Sequence, residues 1–319
     1  MTVTVDEFSD GKTVRDYLKN DLKISSRMLS SLKTKENGIV VNGVRVTVRY
    51  ILHRSDILSI AVDDEQSSDN ITPTDPDRLG ISIIFEDNDI IVINKPAFVP
   101  THPSHGHYDD SLANGLAYIF EQRNIPFVFR AANRLDKNTS GIVLVSKNPI
   151  SSFHLNKQMA LRKFEKKYIS VLSGIIEEDH GTIETYIHRT EESVIFREVC
   201  EKDDHGAEYA RTDFSVLARG DGISVVMASP KTGRTHQLRV HFAHIGHGIV
   251  GDDLYGECDS NEFSIKRQAL HEFYLSFTHP TTDQKKEFYA PIPDDMVSLM
   301  RERSVDPQII ELLIKQESL

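Results

Sequence analysis

Residues 133–146 read Asn-Arg-Leu-Asp-Lys-Asn-Thr-Ser-Gly-Ile-Val-Leu-Val-Ser. A charged, turn-forming stretch gives way at Thr139-Ser140-Gly141 to a short apolar run rich in β-branched residues, which reads as a strand. Outward from it the same signal recurs in ISIIF (81–85), IIVIN (90–94), KYISVL (167–172), VIFREV (194–199) and ISVVMAS (223–229). Helical spacing appears in SLANGLAYIFEQR (111–123), SFHLNKQMALRKF (152–164) and THQLRVHFAHI (235–245). Strands outnumber helices and do not alternate regularly with them. The expected fold is therefore α+β, a mixed, largely antiparallel sheet with flanking helices, rather than a doubly wound parallel sheet. No repeat of 20–50 residues is apparent.

The chain has 319 residues, 39% of them hydrophobic, enough for one or two domains with a sizeable core. Its 37 Lys and Arg against 48 Asp and Glu give a net charge of −11, which argues against a protein that coats nucleic acid indiscriminately. The sign is unevenly spread, however. Residues 1–62 hold 10 basic and 7 acidic residues; residues 130–168 hold 9 and 2; residues 176–213 hold 4 and 12. A basic region on an acidic body suits a polyanion held at one face, although a charge run is usually a solvated face. The acidic segment is expected to point away from such a partner. Cys200 and Cys258 form no metal or disulfide spacing, and the opening MTVTVDEFSDGK has no leader pattern. With no apolar run long enough to span a membrane, the expectation is a soluble cytoplasmic protein, a monomer by default.

Three units are expected along the chain. Residues 1–62 read as a small α/β module: Val14, Tyr17 and Leu18, then Met28, Leu29 and Leu32, have helical spacing, and Asn42-Gly43 between β-branched runs marks a tight hairpin. Residues 63–80 are polar, acidic and Pro-containing, a linker. Residues 81–319 form the main domain. Three tempting motifs are set aside. Gly246, Gly248 and Gly251 spell G-x-G-x-x-G, but a helical pattern precedes them where a dinucleotide site needs a strand. His236, His241, His244 and His247, with Asp252, match no metal-ligand spacing and read as a positive, hydrogen-bonding patch. Gly11-Lys12-Thr13 lacks the glycine-rich approach of a phosphate loop.

In the first stretch Asp136 lies between Arg134 and Lys137. A carboxylate held among cations serves as a nucleophile or base, or else as an ion pair capping the turn. The pattern Arg-Leu-Asp-x-x-Thr-Ser-Gly before an apolar strand resembles the catalytic motif of the RluA-type pseudouridine synthases. Four further segments share the likeness, in order: IVINKPAFVPTHP (91–103), EKKY (165–168), GRTHQLRVH (233–241) with IGH (245–247) and GDDLYG (251–256), and QALH (268–271) with LSFTHP (275–280). The N-terminal module resembles the small S-four-type RNA-binding domain. Two departures stand out: Asn133 replaces the usual His, which could mark an altered RNA context, and Gly248 replaces a Pro.

The resemblance implies an isomerase that detaches uracil from ribose in RNA, turns the base and rejoins it through C5, without metal or cofactor. It assigns the essential carboxylate to Asp136, its pairing cation to Arg239, an active-site ring and hydroxyl to Tyr168, and base flipping to Arg134. Phosphate contacts are expected from Arg15, Arg27, Lys33 and Lys35 in the module, and from Lys137, Arg162, Lys163 and Arg234 around the site. Lys147, Lys157, Lys166, Lys167 and Lys231 extend that basic wall. Large-subunit ribosomal RNA is the favoured substrate, with transfer RNA second. The alternatives are a catalytically inactive RNA-binding protein of the same fold, and a nucleoside hydrolase, for which no second acid stands in the motifs.

Overall fold

The structure is a computed structural model and describes all residues except 1, 23, 25, 62–66, 69, 191–192, 194, 257–262 and 317–319, together with the side chain of Arg27. The first unit runs β1 (Thr2–Thr4), α1 (Val14–Asp16) continuing into a π-turn at Tyr17–Asp21, α2 (Ser26–Thr34), β2 (Ile39–Val41), β3 (Val44–Arg45) and β4 (Ile57–Ile60). Its strands form a sheet in the order β1-β4-β2-β3. The expected hairpin joins β2 to β3, with Asn42 and Gly43 both at positive φ (51° and 81°), which is what its turn requires. The apolar residues read at helical spacing, Val14, Leu18, Leu29 and Leu32, are buried in this unit's own core. That core also takes in Ile150, and His154 bonds the Leu22 carbonyl at 2.9 Å, so the unit leans on a helix of the main body.

The main body follows a 3-10 turn at Pro76–Leu79, with β5 (Ser82–Glu86), β6 (Ile90–Lys95), α3 (Leu112–Gln122), β7 (Ser140–Ser146), α4 (Pro149–Ala160), β8 (Glu165–Ser173), β9 (His180–Arg189), β10 (Arg197–Cys200), β11 (Glu208–Gly220), β12 (Ile223–Pro230), α5 (Gln237–His244), β13 (Leu270–Thr278), β14 (Lys285–Tyr289), α6 (Asp294–Glu302) and α7 (Pro307–Lys315). Its sheet runs β10-β9-β11-β12-β8-β13-β7-β6-β5, with β14 on β13. Among the described strands only β13 and β7 pair parallel; all other pairings are antiparallel. No described helix is long and apolar enough to cross a membrane.

Burial on both faces explains the unbroken apolar runs. On β6, Ile91 and Ile93 enter one core while Ile90 and Val92 enter another on the opposite face; β7 divides Val143 and Val145 from Ile142 and Leu144 in the same way. Each such side chain contributes roughly 1.5–3 kcal/mol on burial, which makes the β6-β7-β13-β8 centre a rigid base for whatever its ends carry. The helices start where local chemistry stops the strands. Ser111 and Asn114 form a reciprocal cap on α3, and Asn148 caps α4 ahead of Pro149. The second half of the expected linker is built into this body. Asn114 of α3 donates to the Thr72 carbonyl at 2.7 Å, and the Pro76–Leu79 turn packs against that helix.

Candidate active site

The loop 133–139 between Ala132 and β7 is fixed at four points, three by hydrogen bonds and one by a close backbone approach. Thr101 donates to the Leu135 carbonyl and accepts from its N–H (3.1 and 3.3 Å), and Gln268 donates to the Thr139 hydroxyl at 3.1 Å. From below, the buried Lys95 ammonium donates to the carbonyls of Pro96, Val99 and Lys137 (2.8, 2.8 and 3.2 Å). Burial first, then the Arg267 charge, lowers the Lys95 ammonium to about 7. At the fourth point Gly141 has φ 121°, and a Cβ there would meet the Glu272 carbonyl oxygen at 2.4 Å, so the turn into β7 admits only glycine.

Asp136, 25% exposed, opens into a cleft of about 310 Å³ lined by Arg134, Lys166, Tyr168, Arg234, His236 and Arg239 among others. Its Oδ2 stands 3.6 Å from Arg239 Nη1 and 3.8 Å from His236 Nε2. His236 enters the site in a left-handed conformation (φ 57°) at the start of α5, and its Nδ1 meets the Tyr255 hydroxyl at 2.9 Å. Burial, aided by the Arg239 and Arg197 charges, lowers the His236 imidazole below its ordinary value, while Asp136 draws it back up. The Arg239 guanidinium lies over the Tyr255 ring, 5.1 Å from its centroid.

The expected Arg239–Asp136 pair is the loosest of three. Arg239 makes a bidentate pair with buried Asp252, Nε and Nη2 at 2.7 and 2.6 Å, and adds Asp253 at 3.1 Å. Arg134 is exposed at the cleft mouth and makes no ion pair with Asp136 or any other described residue. Tyr168 lines the cleft with its ring, and its hydroxyl donates to Glu272 Oε2 at 2.5 Å. Burial, then the charge of Glu272, raises the Tyr168 phenol well above its ordinary value.

Several sequence expectations change on this geometry. Asn133 lines the cleft but is mostly buried, and its amide is bonded to Leu144, Ile142 and Glu272, so the residue that stands in place of the usual His is anchored to the wall of the site. Lys147 belongs to an ion pair with Glu86 at 2.9 Å and a bond to the Asp87 carbonyl, away from the cleft lining. Residues 176–213 supply none of the cleft lining, but they do not simply point away. Glu208 pairs with Arg234 at 2.6 Å and Asp213 with Lys231 at 3.5 Å, neutralising two cations of the expected basic wall. Arg162 and Lys163 are exposed just after α4, beside the cleft residue Met159; Lys137 is exposed 3.1 Å from His107. In the N-terminal unit Arg15 and Lys33 are exposed and Lys35 is half-buried; the side chain of Arg27 lies outside the described residues, as does Cys258.

The histidine patch holds no metal geometry. His241 spends both ring nitrogens on the hydroxyls of Thr212 and Thr185 (2.9 and 3.0 Å), and burial lowers it to about 4. A cluster of ligand-type side chains does exist at Asp87, Asp89 and His279. His279 Nδ1 accepts from the N–H groups of Thr281 and Thr282 while Nε2 donates to Asp87 at 2.9 Å, so its lone pair is used internally. Sequence reasoning missed Glu272 and the part Asp252 plays. Glu272 had a signal, a single acid within the otherwise neutral run LHEFYLSFT of β13.

A cleft with one accessible carboxylate facing a buried arginine, a ring at its wall and an unpaired arginine at its mouth suits chemistry on a planar base carried by a polyanion. Comparison with known proteins gives that class its family: residues 89–244 match the model of the RNA pseudouridylate synthases. A Bacillus subtilis protein named as the uncharacterized RNA pseudouridine synthase YjbO is 34% identical over 289 residues, covering 91% of this chain and 98% of its own. Ribosomal large subunit pseudouridine synthase D of Neisseria meningitidis serogroup A is 35% identical over 287 residues, covering 86% of this chain and 74% of its own. Among solved structures, human RNA pseudouridylate synthase domain containing 1 superposes with a TM-score of 0.59 at 31% identity, over 75% of this chain and 95% of that one. The chain belongs to the RluA-type RNA pseudouridine synthases, isomerases that act on RNA.

Proposed function

We propose that this isomerase converts particular uridines of large-subunit ribosomal RNA, with Asp136 as the essential carboxylate. The observation that carries the reading is the meeting of Asp136, Tyr168 and Arg239 in one cleft, from three separate segments that together span about a hundred residues of sequence. Ribosomal RNA is favoured because relatives that align over most of this chain are named as ribosomal large subunit enzymes. Transfer RNA remains the second substrate class.

Asp136 acts on the ribose, as a nucleophile at C1′ or as a base that generates a glycal-like intermediate. Uracil leaves as an anion, turns against the Tyr168 ring and bonds C1′ through C5. Reaching Asp136 requires the uridine to leave its stack, at a cost of a few kcal/mol, and Arg134 at the mouth takes the vacated space. Arg162, Lys163 and Lys137 hold phosphates at the rim, while Arg15, Lys33 and Lys35 give the N-terminal unit, an S-four-like module, its RNA contacts.

The test is nucleotide-resolution pseudouridine mapping of unmodified ribosomal and transfer RNA after incubation with the wild type and with Asp136→Asn. Discrete ribosomal sites converted by the wild type alone bear the proposal out. Conversion of transfer RNA only would move the substrate class, and binding without any conversion by either protein would reduce the chain to an RNA-binding protein of this fold.

A further inference from the structure

The mechanism above makes no use of a buried carboxylate that lies directly behind the cleft tyrosine. Glu272 is wholly buried in β13, between Tyr168 of β8 and Gly141 of β7 in register. A carboxylate taken out of water is costly unless it is paired, yet no Lys or Arg among the described residues lies within ion-pair range. Its partners are the Tyr168 hydroxyl at 2.5 Å and Asn133 Nδ2 at 3.2 and 3.3 Å from its two oxygens. The orientation of the Asn133 amide is fixed independently, because Oδ1 accepts from the Leu144 N–H at 2.8 Å and Nδ2 also donates to the Ile142 carbonyl at 2.9 Å. Glu272 thus ties the residue that opens the Asp136 loop to the hydroxyl of the cleft tyrosine.

That arrangement bears on the final proton. After C5 has bonded C1′, the C5 hydrogen must leave. A neutral phenol takes a proton from carbon only as it gives up its own, and the Tyr168 hydrogen already points at Glu272. We propose that Glu272 is a positioning residue for this step, orienting the Tyr168 hydroxyl and taking its proton as the Tyr168 oxygen takes the one from C5. The inference rests on the isomerase reading of the cleft. The C5–H bond breaks and its electron pair becomes the C5–C6 double bond; the C6–N1 pair is taken up at N1, which gains a proton from solvent. Tyr168 stays a neutral phenol, Glu272 becomes a carboxylic acid, and the proton later returns to solvent by the same route. Nothing is oxidised or reduced.

The charged groups facing this pair are few. Lys166 on β8 draws the Glu272 carboxyl down, Asp136 faces Tyr168 from the loop, and His271 on β13 turns to the other face, bonded to Ser140 and the Ala290 carbonyl. Burial outweighs the favourable contacts and brings Glu272 up to about 7, so its accepting form is available at neutral pH and holds a proton once taken.

The test is single-turnover release of tritium from RNA carrying [5-³H]uridine, followed across neutral pH with the full chain. For the wild type the rate rises with pH through a limb near 7. Glu272→Gln, which keeps the shape and an acceptor oxygen, slows release by about 10²-fold at unchanged RNA affinity and abolishes the limb, while Glu272→Asp restores part of both. Tyr168→Phe is equally slow, and the double variant no slower. Should the Gln variant not fold, the wild-type and Tyr168→Phe profiles decide: the limb belongs to the first and is absent from the second. A limb that survives in either variant, or a Gln variant at the wild-type rate, overturns the inference while the isomerase reading stands. A wild type that releases no tritium overturns both.

Discussion

Arg239 is held by Asp252 through two bonds of 2.7 and 2.6 Å and only then faces Asp136, at 3.6 Å. Asp252 has no exposed side-chain surface and Arg239 very little, so the pair is a buried clamp, further fixed by Asp252 Oδ1 accepting from the N–H groups of Leu254 and Tyr255. The guanidinium is aimed before substrate arrives, which lowers the cost of ordering it during reaction. Asp252→Asn removes the buried, bidentate counter-charge of that guanidinium and leaves it only the more exposed Asp253 and Asp136. Removal of one partner from such a pair costs about 3–5 kcal/mol, and urea unfolding should register a loss of that order. On the role proposed for Asp136, turnover should fall while RNA affinity holds; unchanged single-turnover rates would show that the clamp does not aim Arg239 at it.

The paired state of the cations decides which of them serve phosphates. Arg234 spends Nη1 on Glu208 at 2.6 Å and Nε on the Tyr209 carbonyl at 3.0 Å, whereas Arg162 and Lys163 are exposed beside the cleft. Arg162→Gln and Lys163→Gln should each lower the slope of log affinity against log salt by about one, uniformly across RNA sequences. Arg234→Gln should change it less. Filter-binding titrations over a salt series measure all three, and a full unit lost at Arg234 would mean that RNA displaces Glu208.

Much of this was legible in the residues, and the reasons for the rest are local. Strands β6, β7, β8 and β12 and the Asn42-Gly43 turn announce themselves because an apolar β-branched run and a positive-φ dipeptide have few other uses. Helices α6 and α7 at the C-terminus are not anticipated, since Met296, Val297, Leu299 and Met300 show their face only once the sheet is there to bury it. The cleft residues Asp136, Tyr168 and Arg239 are carried by ordered motifs, but motifs do not reveal which acid an arginine prefers. The Asn133–Glu272 contact joins positions 139 residues apart, and no local pattern reports that distance.

Two buried histidines should make the fold acid-sensitive. Burial lowers His241 to about 4 and His271 to about 3, whereas both would titrate near 6.5 in the unfolded chain. For such depressed groups the unfolded state binds more protons below 6.5, so their stability contribution is whole above that value and is lost as pH falls towards 4 and below. His241 alone should account for about 3 kcal/mol across that window. His241→Gln can still bond Thr185 and Thr212, and its urea midpoint should decline less steeply from pH 6.5 to 4 than that of the wild type. Parallel declines would mean that His241 keeps its proton in the fold.

Glu272 has the opposite sign, which gives a stability test of its burial that needs no RNA. Its carboxyl is raised from 4.5 to about 7 by burial, against the pull of Lys166, Tyr168 and Asn133. Between those values the folded chain binds the extra proton, so the contribution is fully present below 4.5 and is lost as pH rises through about 7. Glu272→Gln carries no such titration. Its stability relative to the wild type should therefore climb between about pH 5 and pH 8, by on the order of 3 kcal/mol, whatever constant offset the amide introduces. Urea unfolding of both proteins at the two pH values measures the difference directly. A flat difference would mean that the carboxyl is ionised throughout, and therefore that water or a cation reaches it through the wall formed by Tyr168 and Asn133.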